Sequence, residues 1–554
     1  TRGMGDHDPT ERVRTLGGPL AAALAIALLL AVGVRVRGLL LDTLLLGLAA
    51  AAIATPVGTV LAVLLQKTDA VGRRAAWLAI VGLMLAPLYL HAAAWQAGFG
   101  LLGWATQASA GAEPIDPWLS GFRGAVWVHA MAAVPWVAVI TAGVLATTNR
   151  EQEEAASLDA DPARVLTRIT LRRAAAGALI SALLVVLICA AEMTATDLFN
   201  VRSFAEEVYT QASLGMLSGY ATTLGGEGAP LDASGLIAGS LLLAVLAAVL
   251  IGCAASLVGD PNDTESGGQW LWRLGDGRSV ATLAVFAVLL LVGGLPIANL
   301  LHKAGGEVTA VGDGWQRSWS AGKAAWMVAT APWEHRRELA QSLQLGAAVA
   351  TAATVIGAVL AWGLRRSRRT RLLCIPPLAA AFVTPGPVLG VAAIWLLNQP
   401  PESPAAFLAW WYDHTMIAPW LVQTIRVTPL SALVVWSALA SVPRETIDAA
   451  QTEGAGALRV LGSILLPMRR HAVAAAWITA FAGSVGELAA TVLVLPPGPQ
   501  TVTVRIFSLL HYGVEDRVAA LSLAMVFAYA AAGGAVGWLL IRARKVARSA
   551  DFPR

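Results

Sequence analysis

Charge is scarce in this chain. Only 13% of its 554 residues are Asp, Glu, Lys or Arg, about half the roughly 25% of an ordinary soluble domain. That shortage excludes a solvated globular surface over most of the length. Cysteine is scarcer still. Cys189, Cys253 and Cys374 lie in or beside apolar runs, with no spacing that would chelate a metal or build a disulfide framework, and they read as small apolar fillers. No G-x-x-x-x-G-K-[ST] phosphate loop is present, so ATP binding by that route is excluded. H-E-x-x-H and G-x-S-x-G are missing too, and no catalytic or metal-ligating set is expected. The net charge of +4 is small, and the arginines fall between apolar runs rather than along one face. That pattern argues against a nucleic-acid partner.

Apolar residues fill the chain instead. They make up 57% of it, and the mean hydropathy is +0.65. Runs of about 20 such residues are long enough to cross about 30 Å of hydrocarbon at 1.5 Å per residue. Twelve spans are expected, near 17–34, 39–66, 75–95, 122–147, 174–196, 234–258, 279–301, 340–364, 371–397, 417–442, 471–494 and 518–542. The 20 tryptophans suit rings held at the membrane–water boundaries. The first run lacks a small-residue cleavage site followed by a soluble stretch and reads as a retained helix. With the N-terminus inside, inner segments hold 27 of the 39 Lys and Arg and outer segments 11, while Arg426 lies within a span. This bias places both termini in the cytoplasm.

The chain reads as one pattern written twice. Leu44 to Gly58 parallels Leu343 to Gly357, Pro87 and Trp95 parallel Pro387 and Trp395, and Pro135 parallels Pro429. Glu192 with Ala195-Thr196 parallels Glu487 with Ala490-Thr491. The order is the same in both copies, so two parallel repeats are expected, related by an axis along the membrane normal. The expected divisions are a first half at 1–259, a polar Gly-rich cytoplasmic linker at 260–277, and a second half at 278–554.

A short polar segment between apolar runs also occurs twice. In the second half it is Asp448-Ala449-Ala450, then Gly454, then Ile464, Leu466 and Pro467; in the first it is Glu154-Ala155-Ala156, then Ala160. Two alanines let a helix approach a partner groove closely. Asp448 is expected near the start of that helix, where a carboxylate complements exposed N–H groups, and Gly454 permits the turn that ends it. The spacing resembles the E-A-A loop of ATP-binding cassette importer permeases. The second copy matches at every spaced position with Asp for Glu. The first departs from the pattern, with Ala160 in place of Gly and Arg172 in place of Pro. Over nearly its whole length the chain is similar to fused two-half permeases of such importers, and within them most similar to the ferric-iron group, whose relatives include thiamine and other small-solute permeases.

The resemblance implies an all-α polytopic membrane protein of about twelve helices in the bacterial inner membrane. It would be a transport subunit and not an enzyme. Two separate ATPase subunits would bind loops 150–173 and 444–470, a periplasmic or extracellular solute-binding protein would dock outside, and lipid would surround the helices. The chain would hold no cofactor of its own, with ATP on the partner subunits. Ferric iron is the expected cargo, with thiamine, polyamine and phosphonate as alternatives. A secondary transporter driven by an ion gradient is the rival from another class; it would place acids at the midplane and need no duplicated loop. A membrane enzyme or scaffold acting on lipids would need a polar catalytic cluster at one interface, which the sequence does not offer.

Intramembrane acids are functional candidates by default. Glu192 and Glu487 stand 19 and 17 residues beyond Arg173 and Arg470, so about 25–29 Å from the cytoplasmic edge, and are expected to form a cation-favouring ring or an outer gate. Arg426 is a possible partner for either. In the outer segment 303–337, Trp315, Trp319 and Trp326 are expected on one side of a helix broken at Pro332. His91 and His129 read as hydrogen-bonded packing residues, and the span glycines as sites of close helix packing.

Overall fold

The computed structural model describes residues 33–108, 117–146, 150–215, 235–245, 247, 271–311 and 314–550. The expected first span at 17–34 lies almost wholly outside them, as does most of the sixth at 234–258. Among the described residues, seven helices are long and apolar enough to cross a membrane, or nine if each of two sharply bent pairs counts as one span. The protein is an all-α polytopic membrane protein.

Helices α1 (Val34–Lys67), α2 (Arg73–Leu85), α3 (Leu88–Phe99) and α4 (Gly121–Ala146) are followed by a short α5 (Arg150–Asp159), α6 (Leu171–Ala191) and α7 (Phe204–Ser213). In the C-terminal part, α8 (Arg278–Leu289) continues through a π-helical turn into α9 (Leu295–Gly305). After it come α10 (Ala321–Glu334), α11 (Arg336–Arg366), α12 (Arg368–Val383), α13 (Gly386–Leu397), α14 (Ile417–Ala440), α15 (Arg444–Thr452), α16 (Arg470–Val485), α17 (Val502–Leu510) and α18 (Asp516–Ala550).

Two three-helix groups carry the fold. Helices α1, α4 and α6 pack pairwise against one another, and α11, α14 and α16 do the same. Small residues set these crossings. A Cβ on Gly58 would lie 2.5 Å from Val137 Cβ, and one on Gly357 would lie 2.9 Å from the Ala432 backbone nitrogen, so α1 meets α4, and α11 meets α14, almost backbone to backbone. Between the groups the two parts interlock. Phe204 and Val208 of α7 share a buried cluster with Val383 and Val391 of the α12–α13 region. In exchange, Val502, Ile506 and Leu510 of α17 pack with Tyr89 and Leu90 of α3.

Several expected spans are not continuous. The span expected at 75–95 bends by 100° between α2 and α3, and that at 371–397 bends by 105° between α12 and α13. Pro87 and Pro385 sit at these breaks as the residues preceding α3 and α13; proline supplies no N–H and pushes the residue before it out of the helical region. The span expected at 471–494 stops at Val485, leaving α16 with 16 residues.

The outer segment 303–337 is corrected in kind. Instead of one helix it holds an antiparallel hairpin, β1 (Gly306–Val311) and β2 (Gly314–Trp319), followed by α10. Trp315 and Trp319 therefore lie on β2, while Trp326 and Trp333 lie on α10. Pro332 is accommodated within α10, which ends at Glu334. Of the expected linker 260–277, residues 271–277 are described and are not loose. Trp272 N–H donates to Lys67 O at 2.7 Å and Leu274 N–H to Asp69 Oδ1 at 3.1 Å, which pins the entry of α8 to the end of α1.

Candidate functional site

Each EAA-like loop folds in the same order. After α4 come α5, a turn at Pro162–Val165 and a π-helical turn at Leu166–Thr170 leading into α6. After α14 come α15, a turn at Ala457–Arg459, a π-helical turn at Val460–Leu465 and the segment Leu466–Met468 before α16. Ala155 and Ala449 are exposed, Ala156 and Ala450 half-buried, Glu154 half-buried and Asp448 exposed. The two short helices thus present the same small-residue face in the same register. Gly454 has φ +82°, a left-handed conformation that favours glycine, and Ala455 N–H closes the turn on Ala450 O at 3.0 Å. Ala160 reaches no such conformation. There α5 ends on the Ala160 N–H to Ala156 O bond, and Asp161 Oδ1 starts the next turn by accepting Arg164 N–H at 3.1 Å.

Asp448 is not near the start of its helix. It is the fifth residue of α15, and Glu445 is the acid of the first turn. Ile464 and Leu466 are half-buried on the way back to the bundle, while Pro467 is exposed at the start of its short helix, where its missing N–H costs nothing.

The second site lies where the broken helices meet. Helices α6 and α16 end just before Glu192 and Glu487. Each carboxylate then caps the turn that follows: Glu192 Oε1 accepts Thr194 N–H at 2.7 Å, and Glu487 Oε1 accepts Ala490 N–H at 2.9 Å. Arg426 on α14 joins the two turns. Its Nε lies 3.8 Å from Glu487 Oε2. One terminal nitrogen donates to Thr384 O at 2.7 Å and Phe382 O at 3.1 Å, at the α12–α13 break, and the other to Ala191 O at 3.4 Å, beside Glu192. Glu192 is also close enough to act electrostatically on Glu487.

The first break abuts the same place, since a Cβ on Gly486 would lie 2.8 Å from Pro87 Cγ and 3.0 Å from the Tyr529 hydroxyl. Beyond Glu487 the backbone is irregular, yet Leu488, Ala489, Ala490, Thr491 and Val494 are buried. Non-helical backbone at membrane depth is tolerated where protein covers it or where it lines a cavity, and discontinuous helices are how transport sites are commonly built.

Glu192, Glu487 and Arg426 were singled out from the sequence, and the fold brings them together. Gln423 was not. One turn before Arg426 and 1% exposed, it donates to Thr491 Oγ1 at 2.8 Å and accepts from Ser484 Oγ at 2.5 Å, bracing the Glu487 turn from both sides. Its only signal was a second polar residue at helical spacing within an apolar run.

A further polar contact joins the two parts in connecting segments outside the spans. His511 Nε2 lies 2.9 Å from Asp197 Oδ2. The hydrogen bond with Asp197 holds the His511 imidazole above its ordinary value, against the opposing effect of burial. Both expected packing histidines are buried, and His129 Nδ1 bonds Ala125 O at 2.8 Å.

The family described as binding-protein-dependent transport system inner membrane component matches residues 353–543, which include the second EAA-like loop, Arg426 and Glu487. The putrescine transport system permease protein PotI of Escherichia coli (strain K12) is 30% identical over 210 residues, covering 37% of this chain and 72% of that protein. The spermidine/putrescine transport system permease protein PotC of the same strain is 27% identical over 183 residues, 33% of this chain and 65% of that one. PotC of Haemophilus influenzae (strain ATCC 51907 / DSM 11121 / KW20 / Rd) is 26% identical over 178 residues, 32% and 65% respectively.

Proposed function

This chain belongs to the family of inner-membrane components of binding-protein-dependent transport systems, and on that premise we propose that its two halves together form the translocation path of an ATP-driven importer for an organic polycation. The observation that carries the reading is the duplicated lever: α5 and α15, each with an outward small-residue face and each followed by a π-helical turn, hang below equivalent three-helix groups. A lever of that kind serves a protein driven by separate motor subunits, one on each loop, with both loops and both termini in the cytoplasm and a solute-binding protein docking on the opposite side. ATP would stay on those partners. Closure of the motor pair would rock the halves about the junction of Arg426, Glu192 and Glu487 and alternate access to it.

For the cargo, the support favours a polyamine over the ferric iron first expected. The relatives above carry putrescine and spermidine in their names. Among the described residues no group of three or more His, Cys, Asp or Glu is placed to hold a metal ion, whereas ferric iron calls for a cluster of oxygen ligands. An extended organic dication asks for less: separated carboxylates and aromatic faces. Both occur between the parts, in Glu192 and Glu487 and in the Tyr209–Phe507 ring pair at 6.4 Å.

The test is reconstitution in liposomes with candidate ATPase and solute-binding protein subunits, following uptake of radiolabelled putrescine and of ferric iron. ATP-dependent putrescine uptake that needs the binding protein is the expected result. Iron uptake without putrescine uptake would overturn the cargo reading, and uptake driven by an ion gradient without ATP would overturn the importer reading.

A further inference from the structure

The two EAA-like helices share an outward face but are seated on the bundle by opposite chemistry. The inward residue of α15 is Ile447. It packs into an apolar cluster with Val442, Val460, Leu461 and Leu465 and with Trp362 of α11. In the same register α5 carries Glu153, which is 0% exposed. Its carboxylate accepts from Lys67 Nζ at 3.0 and 2.8 Å and from Thr170 Oγ1 at 2.9 Å, and Lys67 and Thr170 are also 0% exposed. The three residues come from three elements: Lys67 ends α1, Glu153 lies on α5, and Thr170 closes the π-helical turn before α6. Thr170 and Leu465 both end their π-helical turns and both are fully buried, so the polar trio takes the place of the apolar cluster.

Apolar contact is non-directional, and a helix resting on it has some freedom to roll. A buried lysine and glutamate have none. Either charge left alone in such a site is strongly unfavourable, and fixing register is the best-attested use of buried ion pairs. The trio is also tied onward. Lys67 O accepts from Trp272 N–H, and Asp69 holds Leu274 N–H and the Arg278 guanidinium, so the same corner anchors the entry of α8.

We propose that Lys67, Glu153 and Thr170 are positioning residues that lock the first EAA-like helix to α1 in a single orientation, and through that corner to α8, while the second helix rests on the apolar seat of Ile447. Motion delivered to α5 is then passed as a rigid unit into the first helix of the N-terminal group and the first helix of the C-terminal part. Motion delivered to α15 itself passes through apolar contact, while Arg365 and Arg469 hold the chain just before it by the Leu439, Val442 and Ser441 carbonyls. The proposal deepens the importer reading and rests on it for its purpose, but the seat is testable without any partner.

The test is nitroxide labelling of the full chain in nanodiscs, at Ala155→Cys or at Ala449→Cys, with Cys189, Cys253 and Cys374 replaced. Glu153→Gln is expected to raise nitroxide mobility at 155 and leave 449 unchanged. The charge-swapped pair Lys67→Glu with Glu153→Lys is expected to bring 155 back toward the unaltered spectrum. An unchanged spectrum at 155 in Glu153→Gln would overturn the proposal. Should Glu153→Gln fail to fold, the swapped pair decides: a folded protein with a rigid label at 155 supports the seat, and continued misfolding or a mobile label refutes it. A chain that passes this test yet recruits no ATPase would sink the importer reading and leave the seat standing.

Discussion

Arg426→Gln is expected to be more damaging than Glu487→Gln, although the two residues form one ion pair. The guanidinium holds carbonyls at 2.7, 3.1 and 3.4 Å, from Thr384, Phe382 and Ala191, and lies 3.8 Å from Glu487. Each hydrogen bond from a charged donor contributes about 1.5–3 kcal/mol. Removing one member of a mostly buried ion pair costs about 3–5 kcal/mol, because the other charge is left uncompensated. These terms describe the same loss and do not add, so about 3–5 kcal/mol is expected for Arg426→Gln. Glu487→Gln is milder. The amide oxygen still accepts Ala490 N–H, and the guanidinium left behind keeps its three carbonyls, so a cost at the bottom of that range, about 3 kcal/mol or less, is expected. Combining the two should recover part of the arginine loss, since the Glu487 carboxylate no longer stands without its guanidinium. Thermal unfolding of the purified full chain in detergent, read by tryptophan fluorescence, ranks the three variants. Equal midpoints for the single variants, or a larger drop for Glu487→Gln, would refute the assignment of Arg426 as the tie between the two turns.

Gly454→Ala places a side chain at φ +82° at a cost of about 1–2 kcal/mol, and should reduce co-purification of the ATPase subunits, whereas Gly456→Ala, with open space around it, should not. Gly486→Ala drives a methyl into Pro87 and the Tyr529 hydroxyl; it should lower the folded yield on size-exclusion chromatography, with Gly462→Ala, where nothing lies within 4 Å, as the neutral control. The His511–Asp197 pair gives a pH dependence. Because the folded imidazole is held above its ordinary value, its stabilisation is fully present below about pH 6.5 and fades as pH rises through the folded value. The midpoint difference between the unaltered chain and His511→Gln should therefore shrink from pH 6 to pH 9, by an amount worth about 1 kcal/mol or less for so exposed a pair. A difference that grows with pH would refute it.

The membrane class, the repeated loops and the Glu192–Glu487–Arg426 set were legible in the sequence because each leaves a mark along the chain: apolar length, a spaced motif, or a charge where charge is costly. Breaks were less legible. Pro87 and Pro385 look like ordinary kink-forming prolines of membrane helices, and only packing against the opposite part, as at Gly486, turns a kink into a bend of 100°. The hairpin at Gly306–Trp319 was missed because its tryptophans happen to recur at helical spacing. Glu153 was not singled out because the E-A-A pattern falls on the half-buried Glu154 beside it, and nothing local says that Lys67, 86 residues earlier in the chain, will meet Glu153.

The junction is less symmetric than the fold around it. Aligning Pro135 with Pro429 sets Ala132 opposite Arg426 and His129 opposite Gln423. That position of the N-terminal part therefore supplies no second guanidinium, and Arg426 reaches across to the Ala191 carbonyl while its ion pair is with Glu487. Two acids then share one arginine in a region where protein covers the backbone. A matched pair of arginines would have made a closed, neutral joint. One arginine makes a joint that ties the α12–α13 break and the end of α6 to the Glu487 turn from one side only.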